Sequence, residues 1–423
     1  MKRVAHNLAQ SVPHEIGELI ARDVRLLQRL GRRGLIAHCR PTVDFSTLDN
    51  VHHPARRLLQ HYKHHSAPVK FSTAPWSQKQ VMRALVRGPH KSCQDHLSFL
   101  QDEFVDMIHK GQWLVLPYSA VRDLPGLCVS PPGVVPQRER CPRWICDYSW
   151  SHVNGDTLPL AAVKAMQFGH ALDYILHKVL LADPARDPIY LLKLDISDGF
   201  YRIGLAIDDI PKLGVAFPSL PHQETLIAFP LVLPMGWTNS PPIFFTATET
   251  VADLANAHIA VGATAPPHPL DDLAESIPPV EPLPPTCQYN IPSIPRDPAL
   301  PRPVGQLSYI DVFVDDFVGL VQDDPDSLSN RRRVRRILLH AVVDVFRPLE
   351  PGDPPERQEP VSLNKLQKGD CSWATIKSVL GPSHEDIGFH PADAASYQHH
   401  QMAHGSRRAP LHVSCATRFT QHF

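Results

Sequence analysis

Apolar positions along the chain switch repeatedly between a spacing of three to four residues and short continuous runs. Leu97, Leu100, Phe104, Met107 and Ile108 recur at helical spacing, and Gly111 supplies the stop. Residues 113–117, 127–135 and 143–148 are short apolar runs separated by proline and charge, and they predict strands. Helical spacing returns over 161–181, after which Pro188 restarts the chain into a strand over 189–196. Asn239 or Ser240, followed by Pro241 and Pro242, marks a helix start, because proline in the first turn removes no intrahelical hydrogen bond. One face of that helix is Ile243, Phe244, Ala247, Val251 and Leu254. Val334, Ile337, Leu338, Ala341 and Val345 mark another helix, and 361–380 reads as a return to strand. Helices and strands mix without the regular alternation of a doubly wound sheet, so the expected class is α+β.

Outside this region the pattern is weaker. Residues 1–87 are rich in Arg and His, hold one helix-like stretch over 16–30 that ends before Gly31, and are expected to be an N-terminal extension without a chemical motif. A compact domain is expected over 88–390, followed by an irregular tail over 391–423. Within it, residues 261–304 are too proline-dense for helix or central strand and are expected to be a flexible surface insertion.

A chain of 423 residues with 43% hydrophobic content can bury a substantial core. Its formal net charge of −1 argues against a nonspecific DNA-coating protein, yet leaves room for a basic channel beside an acidic site. The eight cysteines show no C-x-x-C pairing, which reads as a reduced intracellular chain. No apolar stretch is long enough to cross a bilayer, and the N-terminus lacks a signal-type apolar region, so a cytoplasmic or nuclear location without membrane contact is expected.

Two acidic elements carry the chemistry. Leu194-Asp195-Ile196-Ser197-Asp198-Gly199-Phe200-Tyr201 and Tyr309-Ile310-Asp311-Val312-Phe313-Val314-Asp315-Asp316-Phe317 each interrupt a strand-like apolar run with carboxylates. A carboxylate buried there is costly without a partner, and a pair of Mg²⁺ ions, with Mn²⁺ as a substitute, would be such a partner. A strand bearing Asp195 beside a tight hairpin bearing Asp315 and Asp316 would put three carboxylates on one sheet edge, with the carbonyl of Ile196 as a further ligand. Two ions so held suit in-line attack of a 3′ hydroxyl on an α-phosphate.

In order along the chain, these elements resemble the motifs of a retrotransposon reverse transcriptase, an RNA-directed DNA polymerase. Leu194 to Tyr201 is similar to the first palm motif, Leu233-Pro234-Met235-Gly236-Trp237-Thr238-Asn239-Ser240-Pro241 to the second, and Phe313-Val314-Asp315-Asp316 to the third. Pro132-Gly133-Val134-Val135-Pro136 through Arg143-Trp144-Ile145-Cys146-Asp147-Tyr148 resembles the fingers segment. The resemblance implies a right-hand polymerase with fingers and palm, its thumb absent or truncated because no apolar hairpin or helical thumb follows Leu380-Gly381. No RNase H, integrase or protease segment is recognised.

The resemblance also implies roles. Asp195, Asp315 and Asp316 match catalytic, metal-binding carboxylates. Phe200 matches the aromatic wall that rejects a 2′ hydroxyl and so favours deoxynucleotides. Arg143, assisted by Arg138 or Arg140, matches the triphosphate-binding arginine of the fingers. Gly236, beside Met235, fits a turn where backbone approaches nucleotide and template, and Lys365 or Lys368 matches a lysine near the leaving pyrophosphate. Met235, Phe313 and Gln137 depart from the glutamine, tyrosine and lysine common in relatives. The implied partners are deoxynucleoside triphosphates and a primed RNA or DNA template. The alternative is a noncatalytic retroelement remnant that at most binds nucleic acid.

Three features have blander readings. Arg331 to Arg336 is either a phosphate-binding or nuclear-address run or, more commonly, a solvated helix face. His90, Cys93 and His96 have zinc-like spacing without a second pair of ligands, so surface and cap roles are favoured. Asp147 reads equally as an orienting group in the fingers or as a strand-end carboxylate satisfied by backbone.

Overall fold

Nine of the eleven strands among the described residues carry the fold in the computed structural model, which describes residues 2–40, 44–137, 140–160, 170–183, 189–218, 224–275, 307–322, 328–374, 377–378 and 388–389. They are β1 (Trp113–Pro117), β2 (Val129–Ser130), β3 (Pro132–Gln137), β4 (Arg140–Cys146), β5 (Ile189–Asp195), β6 (Gly214–Phe217), β7 (Leu226–Pro230), β8 (Ser308–Phe313) and β9 (Asp316–Gln322). With the intervening helices they make a mixed α+β fold. β5, β9 and β8 form an antiparallel sheet in that order, in which Asp195 lies directly opposite Asp316. A second sheet has the order β1-β7-β6-β2, with β2 parallel to β6, and β3 pairs with β4 as a separate hairpin.

The first sheet is buried on both faces, which is why its strands read as nearly continuous apolar runs. Phe317 and Val321 of β9 enter the main core, whereas Val318 and Leu320 join a smaller cluster, as the two-residue period of a strand requires. Leu192 and Leu194 of β5 enter the main core, and Ile189 and Leu191 the smaller cluster. The main core also takes the buried faces of the Ser240–Ala260 and Leu328–Val345 helices. Ile175 and Val179 of the Ala171–Leu180 helix cover the smaller cluster. Phe104, Trp113, Trp144 and Phe217 pack edge to face, with centroids 4.7 to 5.7 Å apart, and tie the Leu97–His109 helix to β1, β4 and β6.

The first helix, Lys2–Cys39, is broken at Gly31, where φ is +68°, the position the sequence marks as a stop. Ile16, Leu19, Leu35, Ile36 and Phe45 belong to the main core, and Phe45 stacks on Phe346 at 6.1 Å. Residues 16–87 therefore contribute to the same core as the strands.

Several expectations need correction. Residues 261–275 are not a flexible loop: they carry the Asp271–Glu275 helix with Asp271 and Ala274 buried. Pro266, Pro267 and Pro269 all precede that helix, where proline costs it nothing. Residues 276–304 lie outside the described residues. The basic run is largely paired within the fold, with only Arg332 exposed: Arg332 and Arg335 both bind Glu275, Arg336 binds Asp271 at 2.6 Å, and Arg333 donates to the Ala263 carbonyl at 3.1 Å. Its charge clamps the 261–275 segment onto the Leu328–Val345 helix.

The expected strand over 361–380 is strand only at Lys377–Ser378, which pairs antiparallel with Gly388–Phe389, a pairing not expected from the sequence after Leu380-Gly381. Before it come a bridge from Val361 to Ile196, a short Leu363–Gln367 helix, and a bridge from Ala374 to Leu191. The zinc-like trio is engaged elsewhere: His90 binds Asp147 at 3.0 Å and Cys93 Sγ contacts the Pro132 carbonyl at 3.2 Å. Residues 161–169 of the expected 161–181 helix, and the whole 391–423 tail, lie outside the described residues. Among the described residues no helix is long and apolar enough to cross a membrane.

Candidate active site

Strand register builds the acidic cluster. The β5–β9 pairing places Asp195 across from Asp316, and the β8–β9 hairpin turns through Val314 and Asp315, so that carboxylate oxygens of Asp195, Asp315 and Asp316 lie within 4.8 Å of one another. Val314 takes a φ of +60°, a costly conformation for a β-branched residue. Two bonds hold the turn: Thr248 Oγ1, on the Ser240–Ala260 helix, donates to the Val314 carbonyl at 2.7 Å, and the Ile196 amide donates to the Asp315 carbonyl at 3.2 Å. Strain fixed in this way sets the position of Asp315.

Like charges directly opposite on a sheet repel, and here they are also desolvated. Asp195 is 8% exposed, and burial pushes its carboxyl up to about 7 despite the opposing hydrogen bond and charge of Lys365. Burial, with the adjacent Asp316 charge, pushes Asp315 up to about 6. Lys365 Nζ lies 2.6 Å from Asp195 Oδ1, and Lys193 Nζ 3.2 Å from Asp316 Oδ1. Asp316 Oδ1 is nevertheless buried and receives no hydrogen bond. Three carboxylates with one such oxygen fit a hard divalent cation, for which oxygen ligands are preferred.

The sign of the pH effect follows. Because the folded carboxyls hold protons more tightly than the unfolded chain, their charge costs stability progressively as pH rises from about 4 to 7, and the full cost is present above that. Mg²⁺ competes with those protons. Adding 10 mM Mg²⁺ is expected to raise the thermal midpoint by a few degrees at pH 8 and much less at pH 5.5; binding at a hundred times Kd stabilises by about 2.7 kcal/mol. Equal shifts at both pH values in differential scanning fluorimetry would count against ligation by these groups.

The remaining predicted residues gather around two loops. Gly199 directly precedes Phe200, and a Cβ there would lie 3.8 Å from Asp315 Oδ2. Phe200 is half-buried and packs edge to face on Phe244 at 5.4 Å. Gly236 has a φ of +93°, and any Cβ would fall 2.3 Å from the Cys146 carbonyl, so the Met235–Gly236 turn lies directly against β4. Arg143, exposed on β4, places Nη2 2.9 Å from Met235 Sδ. Lys365 meets the cluster through Asp195. Asp147 combines its two readings: it accepts from the Trp150 amide at 2.9 Å and binds His90. Arg138 lies outside the described residues.

Three contributors are missed by sequence reasoning. Lys193 interrupts an apolar strand, a signal of the same kind as Asp195. Thr248 is one of several buried hydroxyls on an otherwise apolar helix. Asn154 donates to the Gly236 carbonyl at 2.9 Å and accepts from the Thr238 amide at 2.9 Å, bracing the turn with no local sequence signal.

No protein-family model matches the chain, and no curated protein matches it. Among solved structures it is similar to a foamy viral protease-reverse transcriptase dRH in complex with ds DNA, at 15% identity and a TM-score of 0.36, covering 77% of this chain and 41% of that one. It is also similar to a foamy viral protease-reverse transcriptase in complex with RNA/DNA hybrid, at 16% identity and a TM-score of 0.37, covering 77% of this chain and 32% of that one. The chain thus spans less than half the length of either.

Proposed function

We propose that the chain is an RNA-directed DNA polymerase domain of a retroelement, adding deoxynucleotides to a primer by two-metal phosphoryl transfer. The observation that carries this reading is the convergence of Asp195, Asp315 and Asp316, from two motifs distant in sequence, into one buried cluster of ligand oxygens. Asp195, Asp315 and Asp316, with the Ile196 carbonyl, are the residues that would hold divalent ions. Such ions, when bound, supply charge stabilisation for the attacking and leaving oxygens.

The chain's own residues do the rest. Lys365, 2.6 Å from Asp195, keeps a cation beside the cluster. Arg143, exposed next to Met235, offers a planar guanidinium to the incoming triphosphate, with Arg138 as a second cation. Phe200, anchored on Phe244, walls the sugar side, and Gly236 lets backbone approach the nucleotide and template.

Purified protein is expected to extend a DNA primer on an RNA template with deoxynucleotides and Mg²⁺. Duplex binding that weakens steeply with salt, without extension in either Mg²⁺ or Mn²⁺, would instead support the noncatalytic reading. Phe200→Ala is expected to raise ribonucleotide incorporation relative to deoxynucleotide by at least about tenfold, about 1.4 kcal/mol of discrimination. An unchanged ratio in single-nucleotide extension would remove the gate assignment.

A further inference from the structure

Trp150 lies outside the acidic cluster and is 44% exposed, an unusual position for a large aromatic that is nonetheless tightly held. Its backbone amide donates to Asp147 Oδ1 at 2.9 Å, and Asp147 Oδ2 binds His90 Nε2 at 3.0 Å. His90 Nδ1 accepts from Arg87 Nη2 at 2.9 Å, which leaves Nε2 with the proton for Asp147. The Arg87 guanidinium then stacks over the Trp150 ring, 5.0 Å from its centroid, and closes a four-residue circuit.

This circuit has little to do with core packing. Arg87 Nη1 donates to the Gly88 and Pro89 carbonyls, at 3.2 and 3.0 Å, and among the described residues no carboxylate binds it directly. An exposed indole with a guanidinium held over it presents a flat face to solvent, and the Arg87 charge is relayed through His90 to the Asp147 carboxylate. A nucleobase complements this face, because every base offers a π-surface to the indole.

The position in the fold narrows the ligand further. Asn154 donates to Ser149 Oγ at 3.0 Å and to the Gly236 carbonyl at 2.9 Å, so the Trp150 loop is braced against the turn beside the candidate active site. We infer that Arg87 and Trp150 form a stacking platform for an unpaired base of the single-stranded template ahead of the copied position. This rests on the polymerase reading, under which a templating strand must pass that turn unpaired. Stacking without contacts to base edges makes the platform indifferent to sequence.

The test compares a blunt primer–template duplex with one carrying a four-nucleotide 5′ template overhang, using fluorescence anisotropy at fixed salt. Wild type is expected to bind the overhang duplex about tenfold more tightly, within the range for one stacked base. Trp150→Ala should reduce that ratio to near one, and Trp150→Phe should retain most of it. Permuting the overhang sequence should leave the ratio within about threefold. A ratio that persists in Trp150→Ala overturns the platform, and primer extension by wild type in the same preparation then leaves the polymerase reading standing. Absence of binding to either duplex overturns both.

Discussion

Asp315→Asn is expected to lower primer extension on the order of a thousandfold or more, corresponding to about 4 kcal/mol of lost transition-state stabilisation. Asp315 sits at the tip of a turn whose strained Val314 is held by Thr248, so its carboxylate cannot easily be replaced by movement of a neighbour. An amide keeps the shape but lacks the charge that ligates a divalent ion. The same substitution removes a buried charge beside Asp316. In metal-free buffer at pH 8 the variant should therefore melt no lower than wild type, and the stabilisation by Mg²⁺ should largely disappear. Those two melting results separate loss of ligation from loss of fold. Extension within tenfold of wild type would remove Asp315 from the catalytic set.

Gly236→Ala is expected to destabilise the protein by about 3 kcal/mol, combining an unfavourable left-handed backbone with overpacking. The added Cβ would meet the Cys146 carbonyl at 2.3 Å, and that carbonyl belongs to β4, whose Trp144 is locked into the aromatic cluster. Neither partner can yield cheaply. Because Met235 and Arg143 are in contact across this junction, extension should also weaken in whatever fraction remains folded. Urea denaturation should show a lower midpoint with an unchanged slope. Gly155→Ala supplies the comparison, since a Cβ there meets nothing within 4 Å, and its midpoint should barely move. Equal midpoints for the two variants would show that the turn has room to relax.

The helices and strands that border the site follow from local pattern with little ambiguity. The Ser240–Ala260 helix starts where Pro241 and Pro242 place it, β1 occupies the expected 113–117 run, and β5 ends at Asp195, one residue short of the expected boundary. Each of these has a strong period or an unambiguous punctuation residue. The 361–374 segment misleads because its apolar residues contact β5 through isolated bridges while Ser362 starts a single helical turn, a choice set by the neighbouring strand. Residues 261–275 mislead because proline content gives no information about partners, and their order comes from Arg332, Arg335 and Arg336 on another helix.

Sequence by itself determined the residue types of the site: three carboxylates in apolar runs, an aromatic five positions after the first, a glycine before a proline-started helix, and an upstream arginine. Periodicity carried that information because burial imposes it locally. Tertiary structure decided what those residues face. The β5–β9 register put Asp195 opposite Asp316, Lys193 and Lys365 came to lie against the cluster, and Thr248 and Asn154 came to brace the two turns. Cross-strand and helix-to-loop contacts join positions far apart in the chain, and no local pattern encodes which of them will meet.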